Sequence, residues 1–92
     1  MRVRYEAKAV KDMKGLAPAD RVRIREKIAL YAANPAALAN QIKALQGTSF
    51  LRLRVQDYRI IFSVEDDHED ERTVTIMVVY RVRHRREAYD QH

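Results

Sequence analysis

The segment Leu51-Arg52-Leu53-Arg54-Val55-Gln56-Asp57-Tyr58-Arg59 constrains the fold more than any other stretch of the chain. Apolar residues alternate with arginine, the mark of a β-strand with one buried face. Leu51, Leu53 and Val55 point one way; Arg52 and Arg54 point the other. If Gln56-Asp57 is a two-residue turn, the returning strand sets Tyr58 opposite Val55 and Arg59 opposite Arg54. Like charges placed directly opposite each other destabilise a sheet. A fold accepts that cost more readily where an anion sits between them, so the pattern predicts a phosphate-binding face.

The flanking sequence supplies the rest of a small α+β domain. Arg2-Val3-Arg4-Tyr5 alternates and suits a first strand. From Ala7 the pattern turns helical, with Val10, Met13 and Leu16 as an apolar stripe. Pro18 suits the first turn of a second helix. There Ile24, Ile28, Tyr31 and Ala32 fall on one face, and Asn34-Pro35 ends the run. The simplest arrangement is an N-terminal helical hairpin joined near Gly15 to Pro18. Residues 36–39 suit one more helical turn, 42–45 a short strand or connector, and Gly47-Thr48 a turn.

Three strand candidates follow, at 50–55, 58–65 and 73–82. The last holds Ile76-Met77-Val78-Val79-Tyr80, apolar on both faces, and reads as a central strand covered on both sides. Glu65-Asp66-Asp67-His68-Glu69-Asp70-Glu71 reads as an acidic connector at a hairpin tip. It lacks the carboxylate order and the glycine of a calcium loop. The expected fold is thus a helical hairpin packed on a small antiparallel β-sheet, with a short C-terminal helical turn.

Composition sets bounds. A chain of 92 residues makes one domain, spanning 1–92, that buries roughly 60–65% of its unfolded surface. Its 18 Lys+Arg against 13 Asp+Glu give a net charge of +5, which attracts polyanions. With no cysteine, disulfides, thiolate catalysis and cysteine-based zinc sites are excluded. No apolar run approaches a membrane span, and the expectation is a cytoplasmic protein without cofactor or metal.

A second basic cluster, His84-Arg85-Arg86-Glu87-Ala88-Tyr89, closes the chain. Arginine clamps phosphate through a planar set of donors, histidine exchanges protons near neutral pH, and tyrosine stacks on a base. For His84 the plain reading is a surface histidine; proton transfer is the functional one. Tyr89 serves equally as a core cap or a base platform, whereas Tyr31 and Tyr58 read as structural. Lys43, Arg81, Arg83 and Arg86 complete the candidate phosphate-binding set.

The chain resembles the RelE/ParE superfamily of toxins from type II toxin–antitoxin systems. The resemblance rests on the helical run ending at Ala33-Asn34-Pro35, on Ile42-Lys43-Ala44-Leu45-Gln46-Gly47, on residues 51–62 and on 84–89. It implies an antitoxin partner with an acidic, partly disordered segment. For the RelE-like branch it implies a metal-independent, ribosome-dependent mRNA endoribonuclease. There the RNA 2′-hydroxyl attacks the neighbouring phosphate. Carried over, Arg52, Arg54 and Arg59 are the strand cations, Arg85 the late cation and Tyr89 the aromatic. Some RelE members carry lysines where this chain has Arg52 and Arg54. Others pair a Glu with a late His, and Gln46 stands near that Glu's region. The alternatives are a ParE-like toxin that binds and inhibits DNA gyrase without cutting RNA, or a degenerate member that binds antitoxin alone.

Overall fold

The computed structural model describes residues 1–86. Strand β1 (Arg2–Tyr5) leads into helix α1 (Ala7–Lys14) and helix α2 (Pro18–Ala33). A 3₁₀ helix (Pro35–Gln41) follows, then strands β2 (Ile42–Ala44), β3 (Leu51–Val55), β4 (Tyr58–Glu69) and β5 (Arg72–His84). The strands form one five-stranded sheet in the order β1-β5-β4-β3-β2. The fold class is α+β, as the sequence indicated.

Local chemistry explains most boundaries. Pro18 opens α2, where its missing N–H costs nothing. Asn34 leaves the helical region at φ −151° and caps α2 through its amide, which donates to the Leu30 carbonyl. Ile24, Ile28, Tyr31 and Ala32 are all buried. Ile24, Ile28 and Tyr31, with Ala9 and Met13 of α1, share one core cluster with Leu53, Val55, Ile60, Phe62, Met77 and Val79. Both helices therefore cover the same face of the sheet. The Tyr31 and Phe62 rings meet edge to face at 5.0 Å in the middle of it. Arg21 ties the two helices, its guanidinium donating to the carbonyls of Met13 and Leu16 at 3.0 Å each.

The predicted hairpin register is present residue for residue: Arg54 pairs with Arg59 and Val55 with Tyr58. Gln56 takes φ +54° to make the turn. Ile76, Met77, Val78 and Val79 are buried on β5, an interior strand between β1 and β4, as their two-faced apolar run requires.

Four expectations need correction. The sheet is mixed rather than antiparallel, because β1 runs parallel to β5; the chain crosses over through the helices and returns as β2 at the far edge. The acidic stretch is not a connector. Strand β4 continues through Glu69 and pairs with β5 as far as Arg72, so the turn is only Asp70-Glu71, at φ +48° and +67°. Charge compensation permits this: Arg2 binds Glu69 at 2.9 Å and Arg4 lies 3.6 Å from Glu65. The α1 stripe is Ala9 and Met13, with Val10 exposed and Leu16 beyond the helix end. The strand expected from Phe50 begins at Leu51. Tyr89 and the C-terminal turn around it lie outside the described residues, which end with Arg85 and Arg86 in helical conformation.

Candidate phosphate-binding face

The face of the sheet opposite the helices carries the candidate residues. Register places them in two cross-strand rows. Lys43, Arg52, Ile61 and Arg81 stand side by side on β2, β3, β4 and β5. Arg54, Arg59 and Arg83 form the second row on β3, β4 and β5. Neighbouring strands lie about 4.8 Å apart and the rows are two residues apart, about 7 Å. The sheet thus gathers Arg52, Arg54 and Arg59 as the sequence indicated, and it adds Lys43 and Arg83.

Their electrostatic setting is uncompensated in part. Among the described residues, Lys43, Arg52 and Arg54 form no ion pair. The Arg52 Nε is enclosed and has no hydrogen-bond partner. An enclosed donor left unmade costs about 1–3 kcal/mol. Each like-charge pair adds a few tenths more. An anionic oxygen over this face relieves the repulsion between the arginines.

Arg81 behaves differently. A bulge between Ile61 and Phe62 shifts the register so that Tyr80 is the extra residue on β5. Beyond it Arg81 turns to α1, where Asp12 accepts from its Nε at 2.9 Å and its Nη2 at 3.3 Å. Asp12 also accepts the Val82 amide at 2.9 Å. Burial pushes the Asp12 carboxyl up. The Arg81 hydrogen bond, the Val82 amide and the charges of Arg81 and Arg83 outweigh that and hold it below the usual carboxylate value. Sequence reasoning missed Asp12. The available signal was its place as the one acid in α1, among Lys8, Lys11 and Lys14.

The late cluster divides. Arg85 stays by the arginine rows: its amide donates to the Asp57 carbonyl at 2.7 Å and its Nε lies 3.7 Å from Asp57 Oδ1. Arg86 is exposed. His84 pairs with Tyr58 and therefore points to the helix side of the sheet. There its ring meets that of Tyr58 edge to face at 5.2 Å. Its Nδ1 accepts the Arg86 amide at 3.2 Å. The structure thus separates His84 from Arg52, Arg54 and Arg59 by the thickness of the sheet. Tyr58 is structural, its hydroxyl donating to Asp20 of α2 at 3.1 Å.

Residues 3–89 match the family model described as ParE toxin of type II toxin–antitoxin system, parDE. The chain belongs to this family. Within the wider RelE/ParE superfamily, its fold is similar to the toxin–antitoxin complex RelB-RelE of Methanococcus jannaschii, with 25% identity over 95% of each chain and a TM-score of 0.66. It is similar also to the complex RelBE2 of Mycobacterium tuberculosis, at 24% identity, 91% of this chain, 96% of that one and a TM-score of 0.69. The Escherichia coli RelBE complex matches at 20% identity, 88% and 92% coverage and a TM-score of 0.63. Among curated proteins no relative matches. No helix among the described residues is long and apolar enough to cross a membrane.

Proposed function

We propose that this toxin-family chain is an mRNA endoribonuclease that acts on the ribosome and is held inactive by a cognate antitoxin. The observation that carries this reading is the row Arg54–Arg59–Arg83 with Arg52 beside it, a cationic surface formed against its own electrostatic cost. In the proposed step the 2′-hydroxyl attacks the adjacent phosphorus and the bond to the 5′-oxygen breaks. Products are a 2′,3′-cyclic phosphate and a 5′-hydroxyl. Arginine keeps its proton, so Arg52, Arg54, Arg59 and Arg85 act electrostatically, holding the phosphate and stabilising the charge of the phosphorane. The 2′-proton leaves to water. Lys43, opposite Arg52, is the one side chain of the two rows able to release a proton, and it protonates the leaving 5′-oxygen. Tyr89 is carried over from the resemblance as the residue that orients the base. The same cationic face suits an acidic antitoxin segment that folds on contact.

A second reading, inhibition of DNA gyrase without RNA cleavage, draws support from the ParE description of the family and from the placement of His84 away from the arginines. One experiment separates them. Reporter mRNA is translated in a cell-free system with wild type, Arg54→Ala, Arg85→Ala or Tyr89→Ala, and new RNA 5′ ends are mapped. Cleavage by wild type that the variants lose supports the ribonuclease. Intact RNA with unimpaired translation, together with blocked supercoiling, transfers the assignment to gyrase.

A further inference from the structure

The outer face of the sheet is not cationic throughout. Next to the row of Arg52 and Ile61 stand two aromatic rings, Phe50 and Tyr80, with centroids 4.9 Å apart and planes at 80°. Phe50 precedes Leu51, the partner of Phe62, and so flanks Ser63, which pairs with Val78. Ser63 and Val78 are buried, and neither belongs to the core cluster on the helix side. Phe50, Tyr80 and Ile61 are each part-exposed. Phe50 and Arg52 are two residues apart, about 7 Å along the chain.

Both rings are held in place. The Phe50 amide donates to Thr48 Oγ1 at 3.1 Å, and its carbonyl accepts the Leu45 amide at 3.0 Å. Gly47, at φ +77°, makes the turn that brings these groups together. Tyr80 is the extra residue of the β5 bulge; bulges recur beside active sites, where they re-aim a side chain. Its hydroxyl accepts from Ser63 Oγ at 3.5 Å and donates to Glu65 Oε1 at 3.4 Å. Glu65 is itself engaged by Arg4 at 3.6 Å.

We propose that Phe50 and Tyr80 form a base-stacking subsite for a nucleotide whose phosphate lies on Arg52, Arg54 and Arg59. It rests on the RNA reading above and gives that site a second contact. Single-stranded RNA is held by cations that track the backbone and by aromatic faces on which bases stack. Here the two lie within the reach of one nucleotide, and the part-exposed Ile61 makes the floor between them continuous. Any bulky apolar side chain could cover Ser63 and Val78. Rings fixed through backbone and hydroxyl bonds, with surface left open beside arginines, offer a flat π-face instead. The base lies on Phe50, and Tyr80 is a positioning residue that fixes the Phe50 ring by its edge contact. Stacking of this kind accepts every base.

The test separates a π-face from an apolar cover. Phe50→Leu keeps the cover and loses the face; Phe50→Tyr keeps both. In the translated-reporter assay Phe50→Tyr is expected to cleave as wild type does, and Phe50→Leu about tenfold more slowly, with all three proteins melting at similar temperatures. The chain has no tryptophan, so Phe50→Trp adds a single fluorescent reporter. A bound oligoadenylate is expected to quench its emission, and the same sugar–phosphate chain without bases is not. The cleavage comparison decides alone where free RNA does not bind. Wild-type cleavage by Phe50→Leu, or equal loss in Phe50→Leu and Phe50→Tyr, would reduce the rings to a cover and overturn the subsite while the RNA reading stands. Equal quenching by the chain without bases would overturn it as well. Quenching by polyglutamate but not by bound oligoadenylate would assign the rings to a protein segment instead. A folded wild type that leaves the reporter mRNA intact would defeat the RNA reading itself, and the subsite with it.

Discussion

Asp12 tests how the sheet closes the part of β5 that β1 does not reach. The register of β1 with β5 ends at Val79, and the Val82 amide donates to the Asp12 carboxylate instead of a strand. Asp12→Ala removes this bond and both bonds to Arg81, and strands a buried N–H beside a half-buried guanidinium. A buried donor left unmade costs about 1–3 kcal/mol, and hydrogen bonds to charged groups contribute about 1.5–3 kcal/mol. Since these share one carboxylate they do not add, and about 3 kcal/mol is the expected loss. A chain of this length has roughly 5–14 kcal/mol in total, so the melting temperature should fall by about 15 °C. Asp12→Asn keeps the shape and one acceptor and should lose about half as much.

The pH dependence gives the refutation. The folded-state value of Asp12 is depressed. Its contribution is therefore complete above the unfolded value, near 3.9, and declines as pH falls through the folded value. In urea melts the gap between wild type and Asp12→Asn should be constant from about pH 7 to about pH 5 and close below about pH 4. An Asn variant as stable as wild type at neutral pH, or a gap that persists in acid, would show that the carboxylate only fills space.

Three further outcomes follow from the same geometry. Glu71→Gly should raise the melting temperature by about 5 °C, because Glu71 sits at φ +67°, where a side chain costs about 1–2 kcal/mol and glycine does not; thermal melts decide it. Arg54→Ala should stabilise the fold by about 0.5 kcal/mol at low ionic strength by removing a charge opposite Arg59, with the gain fading as salt screens the pair. Its RNA affinity should fall in the same preparation. Lys43→Arg keeps the charge but cannot release a proton, so single-turnover cleavage should slow by about 10²–10⁴ at undiminished RNA affinity; equal rates would remove Lys43 from the reaction.

The parts of this fold legible in the sequence were those with a strict period. Strict alternation over 51–55 fixed which side of β3 is buried, and a two-residue turn then dictated every pairing up to Phe62. The helical spacing of Ile24, Ile28, Tyr31 and Ala32 was equally plain. What misled was local charge. Seven consecutive residues with six carboxylates resemble a solvated tip, yet the partners that let them stay in a strand, Arg2 and Arg4, lie more than sixty positions away. The parallel placement of β1 is likewise a long-range choice that its four residues do not encode. In the site, alternation located Arg52, Arg54 and Arg59. A bulge at Tyr80 then broke alternation on β5. Beyond it Arg81 turns to Asp12, a long-range contact that no periodic reading of that strand could anticipate, whereas His84 keeps the alternation of Val82 and faces the helices.

The two ends of the sheet carry opposite solutions to the same problem. On the extension of β4 and β5, Glu69 pairs with Arg2 and Glu65 with Arg4, and Asp66 accepts a hydrogen bond from Thr75. These pairs are exposed and contribute little individually. At the other end Lys43, Arg52 and Arg54 have no such partner among the described residues, although carboxylates are abundant one strand-length away. The difference is one of position rather than supply. A carboxylate at Ile61, between Arg52 and Arg81, would neutralise the row, and an isoleucine stands there instead. An apolar residue among cations strengthens their field on an incoming phosphate by excluding water. It also leaves Arg52, its direct neighbour on β3, without a carboxylate across the strand.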